Sequence, residues 1–348
     1  MILVTGGTGY IGSLLVQELL FMGETVRVLD TQWFGNPFQP HPRLELIQAD
    51  ISDCDPAWLD GVDGVIHLAG LSNDPTADFA PQLSVESNVM GTRCFAEAVA
   101  ERATAGKREI RFLFASTCSV YYSPTAPADL NIESMTEDLP VAPTTNYSKT
   151  KRLAEIDLLR VAEAHPLFCP VIVRKGTVFG RSPRMRFDLV VNTFTMCAWR
   201  KRLVTVHGHG EAWRPLLHIR DAADAYIYLL SSPAQTVRCE TFNLVHKNYR
   251  ILELAHWVAE ILEQHRGVTV QVMRDRSGEH QARSYYVSGS KINKMLGYRP
   301  QRGTAESILD IWDALERGEF GTEPENDPRY FNIQWLKQSL TQRVCAGR

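Results

Sequence analysis

The chain predicts a doubly wound parallel α/β sheet with a smaller α+β part interleaved toward its end. Three observations carry that expectation. Short apolar runs (ILVT, TVRVLD, LELIQAD, GVIHLAG, IRFLFAS) alternate with longer amphipathic stretches between residues 2 and 116, the rhythm of strands joined by crossover helices. Gly7-x-Gly9-x-x-Gly12, with Gly6-x-x-Gly9-x-x-Gly12 fitting equally well, follows the first run and opens the next helix. Asp30 closes the second run, 18 residues after Gly12.

Each element can be justified in order. ILVT is a buried first strand, and the glycines after it permit a tight turn and close backbone approach, so that a pyrophosphate can rest on the N-terminus of the helix that Tyr10, Ile11 and Gly12 begin. TVRVLD is the second strand. The carboxylate of Asp30 can accept hydrogen bonds from ribose hydroxyls, and a 2′-phosphate would meet that negative charge with only Thr31 and Gln32 beside it, so NAD is favoured over NADP. LELIQAD and GVIHLAG are the third and fourth strands, followed by a helical stretch from Phe79 to Ala103. IRFLFAS is the fifth strand, Tyr147 to Glu163 a helix, and CPVIVRKGTVFG the sixth strand.

Beyond Gly180 the regularity fades. SPRMRFDLVVN, RLVTVHG, WRPLLHIRDAADAYIYLL, TFNLV, a helix from Ile251 to Gln264 and VTVQVM read as a smaller substrate-facing part interleaved with the last strand of the sheet. The expected Rossmann-type dinucleotide domain covers 1–174 with about 203–244, and the substrate domain covers 175–202 with 245–320. The Pro-rich, polar stretch 321–348 reads as a tail.

Composition narrows the classes. The chain has 348 residues, 44% hydrophobic content and a formal net charge of -3, which fits a core-forming protein and argues against nucleic acid or an anionic membrane as the main partner. Seven cysteines are scattered with no C-x-x-C spacing, which reads as reduced thiols in a cytoplasmic setting. No apolar stretch approaches the ~18 residues of a membrane span, and MILVTGG has no basic leader region. No metal site is expected.

Tyr147 and Lys151 lie four residues apart in NYSKTK, on one face of a helix. A phenol ionises near pH ~10, so as a proton acceptor it needs a nearby positive charge, which Lys151 and an oxidised nicotinamide can supply. The pair reads as acid/base machinery for hydride transfer.

Taken in order, TGGTGYIG, Asp50-Ile51, HLAG at 67–70, NVMGT from Asn88, ASTCSVYY at 115–122, YSKTK, WRPLLHIRDAADA and FNL resemble the extended short-chain dehydrogenase/reductase family, in its nucleotide-sugar epimerase and dehydratase branch, over about residues 1–316. The resemblance implies that Thr117 hydrogen-bonds the reacting sugar oxygen, that Tyr147 is the acid/base and that Lys151 is its activator and ribose ligand. Asp50 and Ile51 are implied at the adenine, Leu68, Ala69 and Gly70 along the cofactor, and Asn88 near the catalytic pair. Local roles compete with these: a strand-end hydroxyl for Thr117, a turn former for Asp50, a helix-interior polar group for Asn88. A homodimer through the helices of Asn88 and Tyr147 is also implied; the spacing of Leu153, Ile156 and Leu159 fits it, as it fits burial within one chain.

Departures refine the expectation. Related 4,6-dehydratases follow the catalytic Thr with Asp and Glu, whereas this chain has Cys118 and Ser119, which cannot shuttle a proton as that pair does. Cys118 is either a base beside a ketone or a thiol filling core space. Tyr122 replaces a common Gly, and Thr177 stands where an Asn often touches the sugar diphosphate. Among several arginines, Arg186, Arg214 and Arg283 are placed with Thr177, Cys118 and Ser119 on the substrate side, because guanidinium forks suit diphosphate oxygens. The expected activity is NAD-dependent 4-epimerisation of a nucleoside-diphosphate sugar through a 4-keto intermediate. A net dehydrogenase or ketoreductase is the runner-up, and a non-catalytic dinucleotide sensor the third reading.

Overall fold

The computed structural model describes residues 1–121, 134–275, 277 and 283–345; Tyr122 and Arg276 lie outside them. Strand β1 (Ile2–Thr5) is buried along its whole length, which explains its unbroken apolar run: both faces of a parallel sheet are covered by helices. It leads through the glycine turn to α1 (Tyr10–Phe21), then β2 (Val26–Asp30), β3 (Leu44–Gln48) and β4 (Gly64–His67). The stretch expected as one helix from Phe79 is broken into α2 (Asp74–Phe79), α3 (Pro81–Val85), a π-helical segment at Glu86–Gly91, and α4 (Thr92–Ala105). Pro81 terminates α2, and the π segment carries Asn88, a placement typical of functional sites.

The fifth strand β5 (Ile110–Thr117), helix α5 (Asn146–Ala164) and strand β6 (Phe168–Lys175) follow. Helix α5 starts at a reciprocal capping box between Thr145 and Ser148, which fixes the first turn that holds Tyr147. Next come β7 (Thr177–Phe179), α6 (Val190–Lys201), β8 (Leu203–His207), β9 (Trp213–His218), α7 (Ile219–Ser231), α8 (Ala234–Val237), β10 (Thr241–Leu244), β11 (Lys247–Arg250), α9 (Ile251–Arg266) and β12 (Gln271–Asp275). Helices α10 (Ser290–Leu296), α11 (Thr304–Glu316) and α12 (Asn332–Cys345) complete the chain.

The seven-stranded sheet runs β3-β2-β1-β4-β5-β6-β10, with every pair parallel. Its order reverses between β1 and β4, and ligands of such sheets bind in the crevice beyond the strand ends at that reversal. Leu14, Leu15, Val16 and Leu19 of α1 pack with Tyr226 and Leu229 of α7 on one face. Phe95 and Val99 of α4 and Leu158 of α5 pack with Phe112 and Phe114 on the other. Each such fully buried side chain contributes about 1.5–3 kcal/mol.

The smaller part contains β11-β9-β7 and the β12-β8 pair, closed by α6, α9 and α11 around Phe179, Val204, Leu216 and Trp312. Strands β8 and β9 therefore belong here, and the chain returns to the large sheet only with α7, after 218 and not from 203. Apolar spacing marks a strand without showing which sheet it joins. The stretch 321–348, expected as a tail, contains α12, whose Trp335 stacks on Trp33 at 5.8 Å between centroids. Its polar composition concealed a few anchoring residues. Cys54 and Cys94 lie side by side with Cα atoms 6.4 Å apart, a contact across 40 residues that left no short-range signal.

Candidate active site

One cleft at the reversal point is lined by the glycine turn, Asp30, Asp50, Ile51, Leu68, Ala69, Gly70, Thr117, Ser119, Tyr147, Lys151, Thr177 and Arg186. Most of the residues expected from the sequence thus meet in one place. Gly6 has φ +69, and a Cβ there would lie 2.6 Å from the Ala69 nitrogen. A Cβ on Gly12 would lie 2.3 Å from the Gly6 carbonyl oxygen, so the turn closes only with hydrogen at these positions. Gly9 caps α1 without any side-chain hydrogen bond, and the first turn carries no acid. Its free N–H groups and the positive end of the helix dipole face the cleft.

Asp30 accepts from the Thr8 N–H at 2.9 Å and the Gln32 N–H at 2.7 Å, which ties β2 to the glycine turn. Asp50 accepts from the N–H and the hydroxyl of Ser52, at 2.9 and 2.8 Å, and sets Ile51 at the cleft wall. The Tyr10 side chain turns away from the cleft: its hydroxyl donates to the Gly180 carbonyl at 2.5 Å and accepts from Asn192 at 3.0 Å. It joins the glycine turn to the segment after β7. Asn88 donates to the Leu71 carbonyl at 3.0 Å and to Thr150 at 3.1 Å. Its side-chain oxygen is buried with no hydrogen-bond partner among the described residues and abuts Gly70, as does the Lys151 ammonium.

At the other end, Thr117 terminates β5 and lines the cleft together with Tyr147. Ser119 Oγ lies 3.0 Å from Thr117 Oγ1. Lys151 is buried, 4.8 Å above the Phe114 ring centroid, and burial lowers its pKa to about 8 despite Glu155, which favours the ammonium. Burial raises the Tyr147 pKa above its ordinary value, and Asp74 raises it further, while Arg186 and the Thr117 hydrogen bond oppose them. Lys151 is not among the largest influences on the phenol. Sharing a helix face placed the two groups in one cleft, and side-chain direction then took the ammonium to Phe114.

The remaining expected residues separate. Arg186 is buried, paired with Asp188 at 2.8 Å and bonded to Ser72 at 3.1 Å. Cys118 lies outside the cleft lining: its thiol is fully buried, donates to the Arg174 carbonyl at 3.1 Å and packs with Val120, Tyr121, Val245 and Val287, with its pKa pushed up by burial. It fills core space among those residues. Arg214 donates to the Trp213 and Arg283 carbonyls and stacks near Tyr285, and Arg283 pairs with Asp74; neither lines the cleft. Sequence reading missed Asp74, Phe34, Lys175 and Trp335, which do. Lys175 ends β6 opposite Thr117, donates to the Ser116 carbonyl at 3.0 Å, and has a pKa lowered to about 7 by burial and Lys151. Its position at a strand end was the available signal.

The model of the NAD dependent epimerase/dehydratase family matches residues 2–244. The chain belongs to that family. UDP-glucuronic acid decarboxylase 1 of Arabidopsis thaliana is 28% identical over 316 residues, covering 88% of this chain and 68% of that one. UDP-glucose 4-epimerase of Neisseria meningitidis is 27% identical over 342 residues, covering 89% and 96%. The structure of UDP-glucuronic acid 4-epimerase from Bacillus cereus, in complex with UDP-glucuronic acid and NAD, superposes with a TM-score of 0.73 at 25% identity, covering 91% of this chain and 99% of that one.

For this member of the epimerase/dehydratase family the cleft fits NAD: glycines where any Cβ would collide, a helix N-terminus without a competing acid, and Asp30 at the end of β2. Asp30→Ala is expected to weaken NAD binding about 10–100-fold, the value of a hydrogen bond to a charged acceptor, and to narrow the preference over NADP. Fluorescence titration with both dinucleotides checks it; unchanged NAD affinity would remove Asp30 from the ribose site. No helix among the described residues is long and apolar enough to cross a membrane.

Proposed function

We propose that this chain is a nucleotide-sugar 4-epimerase. The observation that carries the reading is the convergence of Thr117, Tyr147 and Lys151 in the dinucleotide cleft, while the two positions after Thr117 hold a hydroxyl, Ser119, and a thiol turned into the core, Cys118. Elimination of water as in the 4,6-dehydratases needs a carboxylic acid/base pair there. NAD, when bound, supplies a hydride acceptor and donor and, as the oxidised ring, a positive charge. Thr117 holds the sugar C4 oxygen. Tyr147 removes its proton as the ketone forms and returns it when the opposite face is reduced. Lys151 supplies fixed positive charge and binds ribose hydroxyls.

The test is incubation of the protein with UDP- and dTDP-hexoses and UDP-uronic acids, following products and absorbance at 340 nm. Interconversion of C4 epimers without accumulating NADH supports the reading. Stoichiometric NADH points to a dehydrogenase, and carbon dioxide from a uronic acid points to a decarboxylase; either result rejects it. Val85, Met90 and Leu153 are exposed around the π segment and α5, so burial within one chain does not explain Leu153. This supports a homodimer through that face. Leu153→Asp is expected to shift the chain to monomer, with size-exclusion light scattering as the readout.

A further inference from the structure

Five of the described arginines are nine-tenths or more buried: Arg27, Arg111, Arg174, Arg184 and Arg186. A guanidinium taken out of water needs acceptors, and normally a counter-charge, to offset its lost hydration. Arg27 has Glu45, Arg174 has Glu155, and Arg186 has Asp188. Arg111 points at three carbonyls and has Glu109 at 3.7 Å. Arg184 has no carboxylate within 4.0 Å among the described residues. Its Nη2 donates to the neutral Asn332 side chain at 2.6 Å, its Nε has no partner, and its guanidinium carbon sits 3.6 Å from the Phe34 ring centroid.

This cation lines the same cleft as the glycine turn. Ser182 donates to the Tyr10 carbonyl at 2.6 Å and the Arg184 N–H to Ser13 Oγ at 3.4 Å, so the backbone that carries Arg184 is laced to the first turn of α1. Asn332, the first residue of α12, is itself held by the Ser72 hydroxyl at 2.9 Å and by Asp188, which accepts its N–H at 3.2 Å. An uncapped helix N-terminus and a buried cation with no paired carboxylate thus line one cleft with Asp30. Burial and the Arg186 charge push the Arg184 pKa down to about 9, against Asp188, Tyr10 and Asp30, which raise it.

We propose that Arg184, oriented by Asn332 of α12, receives the pyrophosphate of the dinucleotide, and that the C-terminal helix thereby forms part of the cofactor site. The guanidinium fork can hold two phosphate oxygens while α1 donates N–H groups to others. The Phe34 ring below supports the fork, as aromatic faces support arginine.

The experiment uses the full chain freed of nucleotide and measures calorimetric affinities for NAD, ADP-ribose and adenosine, with no sugar nucleotide present. Its outcome is therefore independent of the 4-epimerase reading. Arg184→Gln is expected to weaken NAD and ADP-ribose about 10–100-fold and leave adenosine unchanged. Arg184→Lys should recover part of the loss as a point charge, and Asn332→Ala should weaken the two diphosphates less than Arg184→Gln does. Native affinity for ADP-ribose in Arg184→Gln overturns the proposal. So does a loss shared equally by adenosine, which marks a collapsed pocket, or a loss confined to nucleoside-diphosphate sugars in a parallel titration, which assigns the cation to the substrate.

Discussion

Tyr147→Phe is expected to lower kcat by about 10²–10⁴, the range for removing a positioned acid/base, while NAD affinity stays close to native. The phenyl ring keeps the packing of the first turn of α5, and only the hydroxyl that meets Thr117 is lost. Two charges shape the accompanying pH profile. The phenol binds its proton tightly in the free protein, because burial and Asp74 outweigh Arg186 and Thr117, so activity rises with pH as the phenolate forms. Lys151 is charged below about pH 8 and loses its proton above it, so its contribution falls as pH rises through that value. A levelling of kcat/KM above about pH 8, where the gain in phenolate is offset by the loss of the Lys151 charge, is the expected signature, and Lys151→Arg should restore the rise by keeping the charge. A Tyr147→Phe protein with native kcat would displace Tyr147 from the reaction.

Glu155→Ala is expected to cost about 3–5 kcal/mol of stability, the range for breaking a buried ion pair by removing one partner. Glu155 is fully buried and accepts from Arg174 at 2.9 and 2.8 Å, from Ser116 at 2.5 Å and from Arg152 at 2.9 Å. Its loss leaves Arg174 buried with the Tyr121 hydroxyl, at 2.8 Å, as a remaining acceptor. Equilibrium unfolding in urea measures the change, and a loss under about 1 kcal/mol would mean that the site relaxes around the cation. A second effect follows from linkage: Glu155 favours the charged form of Lys151, so its removal should move the levelling of kcat/KM to lower pH.

The large sheet was legible because both its faces are covered, so its strands read as apolar runs, and because glycines and Asp30 obey strict local geometry. Tyr147 and Lys151 were legible because a helical turn sets their shared face, and Thr117 through the motifs that the resemblance rests on. The substrate side was less so. Arg186 lines the cleft while Arg214 and Arg283 do not, and Cys118 faces the core although Ser119, next to it, faces the cleft. Those outcomes depend on side-chain rotation and long-range pairing, such as Arg283 with Asp74 across 209 residues. Lys151 shows the limit within one helix: spacing set its face, and the low polarity around Phe114 set its charge.

Strand β10 closes the edge of the large sheet against β6, and this has a consequence for biosynthesis. β6 ends at Lys175, and its partner is complete only at Leu244. At ~5–20 residues per second, the ribosome leaves β6 as an open edge for several seconds, with Val171, Ile172 and Val173 ready to pair with any passing strand. Arg184 waits longer still for Asn332. The nascent chain can therefore close its sheet well before it can finish its cofactor cleft, and stalled synthesis between those points would leave a folded core with an unfinished binding site.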